Sequence, residues 1–117
     1  MAYMLLVVEK VGDRAARSES ELRARYDRML SFSEDLKRRG LLTMSQSLRT
    51  DAVAARVTTR GDKPIVHDGP FVEAKEMIGG IFLLTCETRE QAIEIARECP
   101  AAEWATIEVR ELGPCFM

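Results

Sequence analysis

Tyr3-Met4-Leu5-Leu6-Val7-Val8 and Ile81-Phe82-Leu83-Leu84 are the two stretches that decide how this chain folds. Each is a short unbroken apolar run bounded by charge or glycine: Glu9-Lys10 and then Gly12-Asp13 follow the first, and Gly79-Gly80 precede the second. Such runs read as strands covered on both faces. Two other strand-like segments alternate instead. Leu42, Met44 and Leu48 are interleaved with Thr43, Ser45 and Ser47, and Ile107 and Val109 with Thr106, Glu108 and Arg110, the period of a strand with one wet face.

Helices fall between these strands. Ser18 followed by Glu21 is a capping-box pattern. From Leu22 the apolar residues Tyr26, Met29, Leu30 and Leu36 recur on one helical face, with Phe32 at its margin, until Gly40 offers a stop. Thr88 with Gln91 opens a second helix whose buried stripe is Ala92, Ile95, Ala96 and Cys99 and which Pro100 ends. Ala55 to Thr59 and Pro64 to His67, separated by Arg60-Gly61-Asp62, read as an inserted hairpin. The order is β-α-β, hairpin and loop, then β-α-β, which predicts an α+β, ferredoxin-like domain with both helices on one face of an antiparallel sheet.

In that topology the first and third core strands lie in the middle, and the doubly apolar runs fall on those two strands. The helices cover only one face, so Leu and Phe side chains of the middle strands would be bare on the other. At roughly 25 cal/mol per Å² of apolar surface, burying a few hundred Å² per subunit amounts to several kcal/mol before association costs. Face-to-face pairing of two sheets, a dimeric α+β barrel, is therefore the expected assembly, and the first expected partner is a second copy of the chain.

The chain has 117 residues, 46% of them hydrophobic, which fits one domain spanning 1–117 with one core. Seventeen basic and nineteen acidic residues leave a net charge of −2, with the signs interspersed, so no nucleic-acid footprint is present. The densest basic run, Lys37-Arg38-Arg39, closes the first helix, where cations answer the carbonyl end of the macrodipole. The apolar start lacks a basic segment and a small-residue cleavage site and is too short to span a bilayer, so the expected location is cytoplasmic, with no membrane partner. Cys86, Cys99 and Cys115 are widely spaced and form no C-x-x-C pair, so neither a disulfide nor a zinc site is expected. Nucleotide, metal and serine-hydrolase motifs are absent from the sequence, and neither cofactor nor metal is expected.

The segment Val66-His67-Asp68-Gly69-Pro70-Phe71-Val72-Glu73-Ala74-Lys75-Glu76, followed by Gly79-Gly80, resembles the D-G-P-F-x-E-x-K-E…G-G signature of the DGPF branch of the YCII-related family. Tyr3-Met4-Leu5-Leu6, Cys99-Pro100-Ala101-Ala102 and Ile107-Glu108-Val109-Arg110 are similar to that branch as well. The resemblance implies a ferredoxin-like fold paired as a dimeric barrel. It also implies an association with extracytoplasmic-function sigma factors. Other YCII-type proteins carry a His on the first helix and an Asp near the end of the second. Aligned on Gly40 and Pro100, those places fall near Met29 and on Cys99, so that pair is absent here.

Candidate ligand-binding residues come from two places. Around the signature they are His67, Asp68, Glu73 and Lys75: a neutral imidazole beside a carboxylate, then opposed charges able to face a cleft. The commoner reading makes His67 an exposed strand-end residue, Asp68 a turn cap, Gly69 a positive-φ residue and Phe71 a hydrophobic plug. On the first helix the candidates are Tyr26 and Ser33, whose hydroxyls share the face toward the sheet. Trp104 reads as a core or interface anchor. Cys99 reads as a buried small hydrophobe, since a helix C-terminus is the wrong end for a thiolate. No catalytic residue is assigned. Two readings follow: a small-molecule site between sheet and helices, of the acid-base isomerase or lyase kind that dimeric barrels often host, or a non-catalytic regulatory module partnered with a sigma factor.

Overall fold

A computed structural model describes residues 2–117. The elements run β1 (Tyr3–Lys10), α1 (Glu19–Arg38), β2 (Leu42–Ser47), β3 (Ala55–Arg60), β4 (Lys63–Asp68), β5 (Glu76–Leu84), α2 (Arg89–Glu98) and β6 (Thr106–Glu111), with short 3-10 turns at Asp51–Val53 and Pro100–Glu103. Four strands form one sheet in the order β2-β5-β1-β6, every neighbouring pair antiparallel. This is the ferredoxin-like arrangement, β1-α1-β2 followed by β5-α2-β6, and the two doubly apolar runs are its central strands. Hairpin β3-β4 pairs only with itself.

Local signals explain the helix ends. Ser18 accepts a hydrogen bond from the Glu21 amide, and the Glu21 carboxylate accepts one from the Ser18 amide, completing the capping box. At the other end Gly40 takes φ +72, so that Leu41 donates to the Leu36 carbonyl and Gly40 to that of Lys37, closing the last turn as a left-handed residue allows. Thr88 caps α2 by accepting from the Gln91 amide. The return arm differs from the expected box: the Gln91 side chain accepts from Glu87 rather than from Thr88.

Tyr3, Leu5, Val7, Phe82 and Leu84 face the helices and are buried with Phe32 and Leu36 of α1 and Ala92, Ile95 and Ala96 of α2. Full burial of each large apolar side chain stabilises by about 1.5–3 kcal/mol. Phe32, expected at the margin of the α1 stripe, lies inside it and meets Phe82 edge-to-face at 5.4 Å. Tyr26 and Leu30, expected within the stripe, are half exposed. The C-terminal half of α1 packs on the sheet through Phe32 and Leu36, four residues apart on one face, while the N-terminal half stands off it.

Two bulges change what the strand patterns implied. In β2, Leu42 pairs with Leu84 but Met44 pairs with Leu83, so Thr43 is an extra residue. Leu42 then packs on the core and Met44 turns to the open face, while Ser45, opposite Phe82, turns toward α1. One inserted residue exchanges faces for everything beyond it. In β5 the strand begins at Glu76, earlier than the apolar run, and the step from Val7↔Gly80 to Val8↔Ile78 leaves Gly79 as the bulged residue.

The hairpin turns over Gly61-Asp62, Gly61 at φ +61, and every residue of β3 and β4 is exposed. The radius of gyration is 16.0 Å, against about 13 Å for a compact chain of this size, as a projecting arm would produce. Among the described residues no helix is long and apolar enough to cross a membrane.

Candidate functional site

A cleft of about 700 Å³ opens where the N-terminal half of α1 stands off the sheet. Val7 and Phe82 form its apolar floor, Met29 and Leu22 its helical wall, and Trp104 one end. Tyr26, Ser33, Ser45 and Ser47 bring hydroxyls to it, and the Ser33 and Ser45 oxygens lie 3.2 Å apart. Ser45 and Ser47 were read as wet-face residues; the bulge at Thr43 is what delivers Ser45 to this side.

Glu9 lies at the inner end of the cleft, 8% exposed. It continues the inward register of Tyr3, Leu5 and Val7, which is why a charge is buried there. Its carboxylate is held by Arg14, whose Nε donates to Oε1 at 2.6 Å and whose Nη2 donates to Oε2 at 3.2 Å. The same guanidinium donates to the carbonyls of Leu48 at 2.7 Å and Gly79 at 3.2 Å. One side chain thus ties the ends of β1, β2 and β5 together at the bulge. A Cβ at residue 79 would meet the Glu9 carboxylate and the Arg14 guanidinium, so a side chain there would push the ion pair out of this position.

Asp13 sits at the mouth, 2.9 Å from Arg25 and 3.2 Å from Arg17. The Arg25 hydrogen bond, aided by Arg17, holds the Asp13 carboxyl below its ordinary value of 3.8 against the opposing effect of burial. Arg25 also lies 4.7 Å from the Trp104 ring centroid, and Arg28, bidentate to Glu103, lies 5.5 Å from it. Trp104, read as an anchor, is therefore a partly buried platform for two guanidinium groups.

Of the signature, Gly79-Gly80 lines this cleft and residues 66–76 lie elsewhere. Phe71 is buried beneath the hairpin base, with Arg56 3.9 Å over its ring and His67 edge-on at 5.5 Å. Its amide donates to the Asp51 carboxylate at 3.2 Å, so Asp51 rather than Asp68 ties down this turn. Gly69 does not adopt positive φ, contrary to expectation. Its constraint is space: a Cβ would run into the Asp51 backbone carbonyl, and the Gly69 amide donates to the Ala54 carbonyl at 2.7 Å. A second cleft of about 530 Å³ runs beside Phe71, Met77 and Ile78. His67, Asp68, Glu73 and Lys75 are all exposed and line neither cleft.

Of the six sequence candidates, Tyr26 and Ser33 meet in the large cleft and the four signature residues do not join them. Glu9, Arg14, Asp13, Arg25, Ser45 and Ser47 were missed. Glu9 carried a readable signal, a carboxylate at an inward position of a strand, whereas the bulge that turns Ser45 left none. Burial raises the Cys99 and Cys86 thiols above their usual range, in keeping with Cys99 as a packed hydrophobe. No group of three His, Cys, Asp or Glu side chains is gathered as metal ligands among the described residues.

A stretch of 62 residues is 38% identical to an uncharacterized protein of Rhizobium meliloti (strain 1021), spanning 51% of this chain and 50% of that one. The match thus covers about half the relative's length. The model of the YCII-related domain matches residues 1–115, nearly the whole chain, and with the β-α-β, hairpin, β-α-β order in place the chain belongs to the YCII-related domain family.

Proposed function

We propose that this protein is a cytoplasmic, homodimeric member of the DGPF branch that binds a small molecule in the cleft beneath α1. The observation that carries this reading is the cleft itself: about 700 Å³, within the size of small-molecule sites, with an apolar floor and a few convergent hydroxyls. Met29, near the place of the family's first-helix His, lines it. For acid-base chemistry of the isomerase or lyase kind, Glu9 is the group positioned to accept a proton. Arg14 donates one hydrogen bond to each of its oxygens, and each oxygen retains a second lone pair.

The dimer reading rests on the sheet face away from the helices, where Met4 pairs with Leu83 and Leu6 with Ile81, all four only half covered. A partnership with an extracytoplasmic-function sigma factor is the second reading, favoured by Val57 and Val66 standing exposed on the arm.

Incubation with a cell metabolite extract, followed by mass spectrometry of what stays bound, tests the first reading. The wild type should retain a compound that Ser45→Leu, which fills the cleft, releases. Equal retention by both would place the site elsewhere. Light scattering should report a dimer that Leu83→Asp dissociates, and a wild-type monomer at micromolar concentration would overturn the pairing.

A further inference from the structure

The charges around the cleft cancel, and they cancel pairwise. Glu9 is held by Arg14 at 2.6 Å, Asp13 by Arg25 at 2.9 Å, and Glu19 by Arg23 at 3.2 Å on the exposed rim. Three carboxylates and three guanidinium groups line the space, and each has its partner within this chain. A ligand carboxylate or ammonium entering here would lose water without finding an unpaired opposite charge, and would have to break an existing pair to gain one. The outermost pair is well solvated and contributes little, but the Glu9 and Asp13 pairs are partly buried and carry the argument.

The hydroxyls are placed differently. Ser33 and Ser45 bond to each other, which uses one of their two protons and leaves one donor and several lone pairs facing the cleft. Tyr26 of α1 and Ser47 of β2 add two more hydroxyls to the lining. Beside them lie flat or apolar surfaces, Phe82, Val7, Met29 and the Trp104 indole.

Resting on the small-molecule reading of this cleft, we infer that its ligand is an uncharged molecule with a ring-like apolar body bearing hydroxyl, carbonyl or amide groups. The body packs on Phe82, Val7 and Met29 at the end of the cleft that Trp104 closes, and the polar groups exchange hydrogen bonds with Ser33, Ser45 and Tyr26.

Four probes sharing one ring separate the classes: benzyl alcohol, benzamide, benzoate and benzylammonium, titrated at neutral pH while backbone amide resonances are followed by NMR. The two neutral probes should shift Ser33, Ser45 and Trp104 together and bind at least about tenfold more tightly than either charged one. Tighter binding of benzoate or benzylammonium at the same residues would overturn the ligand class and leave the cleft as the site. Absence of any shift at these residues with all four probes would overturn the cleft reading, and the inference with it. In Asp13→Asn, which frees Arg25, benzoate should gain severalfold; unchanged benzoate binding in that variant would contradict pairwise cancellation as the source of the preference.

Discussion

The signature segment and the α1 cleft divide between them what a motif and a site are usually expected to share. Residues 66–76 of the signature are the most distinctive stretch of the sequence, yet their polar side chains are exposed and the one buried residue among them is Phe71. The cleft is built from residues unremarkable in sequence, a Glu at a strand end, an Arg in a loop, three serines and a tyrosine, drawn from β1, α1, β2 and the segment joining β1 to α1. Neighbours in sequence along a strand point to opposite faces, so a polar cluster in a motif is not a cluster in space. Convergence comes from elements that cross.

If this division is right, the largest effects should follow from disturbing the packed ends of each region. Arg14→Met leaves Glu9 unpaired at 8% exposure and should cost about 3 kcal/mol in urea denaturation. Adding Glu9→Gln to it should recover part of that loss. Gly69→Ala comes next, at about 2 kcal/mol, because the added methyl meets the Asp51 backbone and not a movable side chain. Equal stability of wild type and Gly69→Ala would mean that the signature turn is looser than described.

Acid should act on the cleft through Asp13. The Asp13 carboxyl is held below 3.8 in the fold by Arg25, with Arg17 helping, so its contribution is fully present above the unfolded value of 3.8 and is lost as pH falls through the lower folded value. Asp13→Asn should flatten the acid limb of a stability-versus-pH curve, and a superimposable limb would count against the pair. Thiol labelling should separate the regions again: Cys115 is exposed, while Cys86 and Cys99 are buried, so iodoacetamide should modify Cys115 alone in native protein. The smallest effects belong to His67→Ala and Lys75→Ala, within about 0.5 kcal/mol of wild type, because both side chains are exposed.

Most of the fold was legible because hydrophobic period and capping chemistry are local. Tyr3 to Val8 and Ile81 to Leu84 announced the central strands, Ser18-Glu21 and Gly40 bounded α1, and Gly61 marked the hairpin turn. What escaped was set by pairing. The extra residue at Thr43 exists only relative to β5, so alternation in 42–48 assigned Ser45 to the wet face. The depth at which α1 meets the sheet is a tertiary property too, and it decided that Phe32 packs while Tyr26 borders a cleft. Half of the cleft was hidden for the same reason: Arg14 lies in an irregular segment without a period, and its partners are a strand-end carboxylate and two carbonyls far away in sequence.

The central claim is that the site lies under α1 and not at residues 66–76 of the signature. The direct measurement is calorimetric affinity for the compound retained from extract, compared between a His67, Asp68, Glu73 and Lys75 quadruple alanine variant and Ser45→Leu. Unchanged affinity in the quadruple variant with loss in Ser45→Leu is the predicted result, whereas loss in the quadruple variant with full binding by Ser45→Leu would contradict it.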